Sequence, residues 1–360
     1  MKLNKILLSL LTGGLLAGVA QAQVTLTITG STAFRSIAFD RVQFLFDAGY
    51  ITAGDLAIGP GTYQGTMSNA IPSLRNTPVT VRLSFSGSGT GMLAVDQSTP
   101  VPTINPGTGT TNNTVPDLSF SDVFPESATP AINGSDFDQS IVGVIPFTFT
   151  KNNALVGITN ITREQAQLLM TASGVVTNGT QLINGMPASF LGGIGSNPVY
   201  LTGRDSGSGT RITTQRNLGF TGTPRLWGLN GTTLVLTNGY SSGGNERNVI
   251  ANNPNVIGYL GLADVAAIAA SASPISYEGV AFTPAAVQNG TYPMWGYEHL
   301  VNRAGGLSAN QATIRNALIA AITNQGYQTT NVNYTANFVD QTHMTVQRGT
   351  DGGTITSLNF

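Results

Sequence analysis

Three short turns carry the residues best suited to chemistry: Gly30-Ser31-Thr32, Gly87-Ser88-Gly89-Thr90 and Gly207-Ser208-Gly209-Thr210. Each follows an apolar stretch that reads as a strand and precedes a stretch that reads as a helix start. Glycine lets the backbone turn sharply and approach a ligand closely. The free N–H groups at a helix start point outward and carry partial positive charge. Ser and Thr hydroxyls add donors. Together these groups can hold an oxyanion without a net charge. Taken singly, the same turns also serve as plain caps or loops in a chain this rich in Gly, Ser and Thr. Arg204, just before the third turn, lifts the set above that reading. Its planar fork matches an oxyanion, and in so charge-poor a chain it needs a partner.

A carboxylate stands in a similar setting, in Ser119-Phe120-Ser121-Asp122. By itself Asp122 reads as a turn or cap residue. Beside an oxyanion it has a sharper meaning. A carboxylate only accepts hydrogen bonds, so the anion must bring a proton. Monohydrogen phosphate brings one at neutral pH. Sulfate does not, and would leave Asp122 facing a like charge.

Other chemistries find little support. The chain has no Cys and two His, His299 and His343. Thiolate metal sites, Cys nucleophiles and disulfides are therefore absent. Both histidines read as structural or exposed. No H-E-x-x-H, G-x-S-x-G or G-x-x-x-x-G-K-[ST] pattern occurs, which removes the zinc protease, serine hydrolase and P-loop readings. Charged residues are 9% of the 360, with a formal net charge of −1. That excludes a coiled coil, an acidic tail protein and a basic nucleic-acid binder. Hydrophobic residues at 41% supply a sizeable core.

The elements that must position these turns alternate between strand and helix, which predicts an α/β architecture. Val24–Thr29 reads as a strand, and Phe34, Ile37, Ala38, Val42 and Leu45 as one helix face up to Gly49, capped by Ser31 or Thr32. Val79–Phe85 reads as a second strand. Residues 97–117 read as a long surface loop, and Ile141–Thr150 as a buried strand. Thr162 and Gln165 predict a capping box on a helix ending near Gly174. Val199–Thr202 and Val256–Leu260 read as strands, with a weakly helical stretch after Thr210. Ser308 and Gln311 cap an amphipathic helix stopped at Gly326. The tail from Gln328 to Phe360 reads as polar and strand-like. At the other end, Lys2 and Lys5, the apolar run Ile6–Val19 and Ala20-Gln21-Ala22 form a secretory leader cleaved after Ala22. It predicts a periplasmic or secreted protein without a lipid-anchor Cys.

With these residues in view, the sequence resembles the phosphate-binding proteins of bacterial ABC transporters, the PstS-like group of periplasmic binding proteins. The resemblance covers most of residues 24–300. It rests on ITGSTAF (Ile28–Phe34), FSGSGTG (Phe85–Gly91), SFSD (Ser119–Asp122), ITREQ (Ile161–Gln165), GRDSGSGTR (Gly203–Arg211), NPNVIGY (Asn253–Tyr259) and Tyr292-Pro293, in the family's order. It implies a two-lobed α/β fold of type II, each lobe a mixed sheet flanked by helices. The lobes would be residues 23–145 with 293–360, and residues 146–292, after a signal peptide at 1–22. The chain would cross near Val144–Phe147 and return near Tyr292–Met294. The implied ligand is one dehydrated inorganic phosphate in the cleft. Thr32 and the Ala33 amide would bind it from the first turn, Ser88 from the second, and Arg204, Ser208, Gly209 and Thr210 from the other lobe. Asp122 would accept the phosphate proton. The implied protein is a monomer and not an enzyme, needs no cofactor or metal, binds no nucleic acid, and passes its ligand to an ABC permease.

The chain departs from the family in four places. Ala33 stands where a Phe can occur, the 97–117 segment looks longer than usual, and the last 33 residues lack the expected helical ending. The low charge leaves few residues for docking to a permease. The alternatives are a binder of sulfate, molybdate or tungstate, against which Asp122 argues, a secreted hydrolase, and a surface or adhesion protein that reuses the fold.

Overall fold

The computed structural model describes residues 23–52, 60–68, 71–75, 77–171, 175–177, 181–183 and 185–358. The leader read at 1–22 and the helix stop read at Gly174 lie outside them. Val24–Gly30 is the central strand of the first half, and it is parallel to both neighbours, Pro78–Phe85 and Leu118–Ser121. Its side chains are buried on both faces, as a parallel strand between helices requires. The register places Gly30 opposite Phe85 on one side and Phe120 on the other. Three strands therefore end together at one edge of the sheet. Gly30 has φ +109°, and a Cβ there would lie 1.9 Å from the Phe120 carbonyl oxygen, so only glycine fits.

The sheet is mixed and continuous. Its order is Met186–Pro187, Pro198–Leu201, Val256–Gly261, Phe137–Asn152, Trp295–Arg303, Leu118–Ser121, Val24–Gly30, Pro78–Phe85, Gly61–Met67 and Phe46–Thr52. The long strand Phe137–Asn152 contains the apolar run expected to be buried, and it joins the two halves. Its first part pairs antiparallel with Trp295–Arg303, and its last part pairs antiparallel with Val256–Gly261. Helices flank the sheet and cover two large apolar clusters. One gathers Leu26, Ile28, Phe34, Ile37, Phe120, Leu318 and Phe338. There the Phe34 ring lies 5.0 Å from both Phe120 and Phe338. The other gathers Phe149, Leu169, Leu201, Ile257, Tyr259, Tyr277 and Trp295. A fully buried side chain of this size contributes about 1.5–3 kcal/mol, so the clusters supply most of the drive to fold.

Both predicted capping boxes form. The Thr162 backbone N–H donates to Gln165 Oε1 at 2.9 Å, and the Gln165 N–H donates to Thr162 Oγ1 at 3.2 Å. Ser308 and Gln311 do the same before Ala309–Ile322. No helix among the described residues is long and apolar enough to cross a membrane.

Three expectations are corrected. The first helix is Arg35–Phe44 and stops short of Gly49. Phe46–Thr52 is a strand paired with Gly61–Met67, because ladder hydrogen bonds from a neighbour outweigh local helical spacing. No side chain caps this helix; Ser31 instead accepts the Phe34 N–H at 3.1 Å. The segment 97–117 is not an open loop: Val101–Ile104 and Thr111–Thr114 form a hairpin, tied down by Thr62 Oγ1 donating to the Ile104 carbonyl at 2.6 Å.

The tail begins as helix rather than strand, with Gln325–Thr330 capped by Asn324 and Val332–Asn337 capped by Asn331. Short helices held by Asn caps and buried Tyr side chains leave a weak periodicity, so their polar residues read as strand or loop. Beyond them, Arg348 is buried against the second cluster. Its guanidinium donates to Asn217 Oδ1 at 2.8 Å, to the Trp295 carbonyl at 3.1 Å and to the Pro293 carbonyl at 3.0 Å. It also stacks over the Trp295 ring at 4.0 Å. Replacing Arg348 with Ala leaves these acceptors bare and is expected to cost about 2–4 kcal/mol. Urea unfolding checks this, and an unshifted midpoint would show that the tail is not pinned by this residue.

Candidate functional site

The parallel register sets the site. The turns after Gly30 and Phe85 and the residue after Ser121 emerge side by side at the carboxyl edge of their strands, the usual place for ligands in open α/β sheets. Ser31 closes the first turn onto the third of these ends: its N–H donates to the Phe120 carbonyl at 2.9 Å, and its hydroxyl donates to Asp122 Oδ1. Ser88 stands on the other side, where its oxygen accepts the Asp122 N–H at 3.2 Å. Asp122 is 2% exposed. Burial pushes its carboxyl above the usual carboxylate range. The neighbouring Glu298 and Ser31 side chains, the charge of Arg204 and the Ser88 hydroxyl oppose that rise.

The third turn comes from the other half of the sheet and packs onto this group. A Cβ on Gly209 would lie 2.4 Å from Ser88 Oγ and 2.7 Å from Asp122 Oδ2, so glycine is needed for the approach. The Gly89 N–H donates to the Gly207 carbonyl at 3.0 Å, which lays the second and third turns against each other. Ser208 Oγ is buried with no partner. Thr210 is buried in the first turn of the helix Gly209–Leu218.

Arg204 is 3% exposed and rigidly held. Its Nε donates to the Tyr240 carbonyl at 3.0 Å, and its Nη2 donates to the Ser241 carbonyl at 2.8 Å and to Thr32 Oγ1 at 3.2 Å. The guanidinium thus bridges the first turn and the far half of the sheet. Arg211 supports it from below, donating to the Arg204 carbonyl at 3.3 Å. Glu246 is buried nearby and accepts the Tyr259 N–H at 3.0 Å. Burial pushes its carboxyl up to about 8, against the lowering pull of the Arg204 charge.

The eight residues singled out from the sequence fall into place as follows. Ser88, Asp122 and Gly209 touch, and Thr32 bonds Arg204, whose charge acts on Asp122. Ser208 and Thr210 lie buried on the same turn as Gly209. Ala33 follows Thr32 in the first turn. With Thr32 it lines a cavity of about 310 Å³ walled by Arg35, Ser242, Arg247 and Asp264. Sequence reasoning missed Ser31, Glu298, Glu246 and Arg211. Ser31 lies within a motif already noted, but nothing local marks which of two adjacent hydroxyls turns inward. Glu298 had a signal: it is the lone carboxylate in the apolar run Tyr292–Val301 of a charge-poor chain.

Among the described residues no group of three or more His, Asp or Glu is placed to hold a metal. His299 is buried with both ring nitrogens unpartnered, and burial lowers its pKa to about 4, so the ring is neutral. Exposed His343 pairs with Asp340 far along the tail. What the site offers is a set of hydroxyl and backbone donors, one fixed guanidinium and one buried carboxylate. That suits the binding of a small oxyanion that carries a proton.

No family model matches the chain, and no curated protein matches it. Solved structures do. A structure from Clostridium perfringens with bound phosphate, named as a phosphate ABC transporter substrate-binding protein, is similar at a TM-score of 0.55 and 16% identity, covering 88% of this chain and 99% of that one. An ABC-type phosphate transport receptor from Vibrio cholerae is similar at a TM-score of 0.54 and 14% identity, covering 87% and 99%. At these identities the likeness establishes the fold: this chain folds as those phosphate-binding proteins do.

Proposed function

We propose that this protein binds inorganic phosphate between the two halves of its sheet, as the extracytoplasmic solute-binding component of an ABC phosphate import system. The observation that carries this reading is a fully buried Asp122 facing the Gly209 turn, within the field of Arg204. An acceptor-only group in an oxyanion site selects an anion that supplies a hydrogen. Thr32, Ala33, Ser88, Arg204, Ser208, Gly209 and Thr210 donate to the phosphate oxygens, and Asp122 accepts the phosphate proton. Sulfate, molybdate and tungstate bring no proton and set their charge against Asp122. The unpartnered Ser208 hydroxyl supports the reading, since a buried donor without an acceptor is costly until a ligand satisfies it.

The two lobes move about the chain crossings near Val144–Phe147 and Tyr292–Met294, and the anion enters when the Ser88–Gly209 contact opens. The leader exports the chain, which then works as a monomer that performs no chemistry on its ligand and hands it to a membrane permease. The fold shared with substrate-binding proteins supports this role.

Two substitutions test the site. Arg204→Ala removes the cationic fork proposed for it, and phosphate affinity is expected to fall by about 2–4 kcal/mol in calorimetric titration. Undiminished binding in a folded variant would place the site elsewhere. Asp122→Asn turns an acceptor into a group that also donates, so the phosphate-to-sulfate affinity ratio is expected to drop. An unchanged ratio removes Asp122 from the selectivity argument.

A further inference from the structure

Glu298 is fully buried, and among the described residues neither of its carboxyl oxygens has an N–H or O–H hydrogen-bond partner. A carboxylate in that position would be an uncompensated buried charge. The strand register says what it faces. His299 lies opposite Ser121 and Leu300 opposite Phe120, so in this antiparallel pair Glu298 comes level with Asp122. Two acceptors can form a hydrogen bond only if one of them carries a proton.

The groups packed around the pair support one assignment. Asp122 already has the Ser31 hydroxyl on one oxygen, Ser88 beside it, and the Arg204 charge acting on it. Among the described residues no cation acts on Glu298. Across Gly143 it neighbours the Tyr334 hydroxyl, itself buried and unpartnered; a Cβ on Gly143 would lie 3.0 Å from that oxygen and 3.7 Å from Glu298 Cβ. His299, next along the strand, packs its neutral ring 4.5 Å from Phe124.

We propose that Glu298 is a specificity-determining residue of the anion site: it is protonated, donates its hydrogen to Asp122, and so keeps Asp122 a singly charged acceptor. It is a positioning residue, acting on the ligand through Asp122. Burial first, and the Asp122 charge second, push the Glu298 carboxyl well above its usual range, which agrees with this assignment. Without that donor, the buried Asp122 would take up a proton itself. It would then donate rather than accept, and its discrimination against unprotonated anions would be lost. The consequence for selectivity rests on the phosphate reading; the protonation of Glu298 does not.

The test therefore has two independent parts. Infrared difference spectra between wild type and Glu298→Gln at neutral pH, without any anion, are expected to show the carbonyl stretch of a protonated carboxylic acid. Carboxylate bands in its place overturn the proposal. Phosphate and sulfate titrations of wild type, Glu298→Gln and Glu298→Leu then read selectivity. The Gln amide can donate as the protonated acid does, so that variant is expected to keep the wild-type ratio. Leu cannot donate, so the ratio is expected to fall between about tenfold and a hundredfold, and phosphate binding to fade at a higher pH on acidification. A Gln variant as impaired as Leu, or an unimpaired Leu variant, overturns the role. If Leu fails to fold, the Gln variant and the infrared band still decide it. Wild-type protein that binds neither anion refutes the phosphate reading while leaving the infrared result to decide the carboxyl pair.

Discussion

Asp122 is almost wholly withdrawn from water, and a buried carboxylate costs several kcal/mol unless hydrogen bonds and opposite charge offset it. Much of the local architecture answers that demand. Ser31 turns inward to donate to it, Ser88 anchors its backbone, and Arg204 is fixed by two carbonyls so that its charge acts on the same space. The arrangement works only with the three turns brought together from distant parts of the chain.

Parallel pairing supplies that convergence. In an antiparallel hairpin the ends of neighbouring strands alternate between edges. Here Val24–Gly30 runs parallel to both neighbours, so three chain ends share one edge. Glycine then permits the close approach: Gly30 passes against the Phe120 carbonyl, and Gly209 lies against Ser88 and Asp122. The long strand Phe137–Asn152 ties the edge to the far half of the sheet. Arg204 and the Gly209 turn reach the site from that half, bridged through Thr32.

The low charge content takes on meaning in this setting. Among the buried carboxyl groups, Glu246, Glu298 and Asp351 are all pushed upward by burial, and His299 is pushed downward. The interior favours neutral forms, and Arg204 acts in a field with little competition. A single guanidinium and a single carboxylate then carry more weight than they would on an ordinary charged surface.

Much of this was legible in the residues themselves. Strand-turn-helix punctuation, the two capping boxes and the Ser/Thr-Gly turns are local patterns with local causes; they predicted the α/β class and marked the turns that the sheet gathers at one edge. The strand at Phe46–Thr52 was not legible because its ladder comes from the neighbouring strand Gly61–Met67 and not from its own pattern, and the helices at Gln325–Thr330 and Val332–Asn337 were not because they are short and held by Asn caps. The same holds for Ser31 over Thr32 as the partner of Asp122, and for Glu298. Which hydroxyl faces inward, and which strand lies beside Asp122, are decided by sheet register. Register is a property of the folded chain: a one-residue slip would turn each of these side chains to the other face.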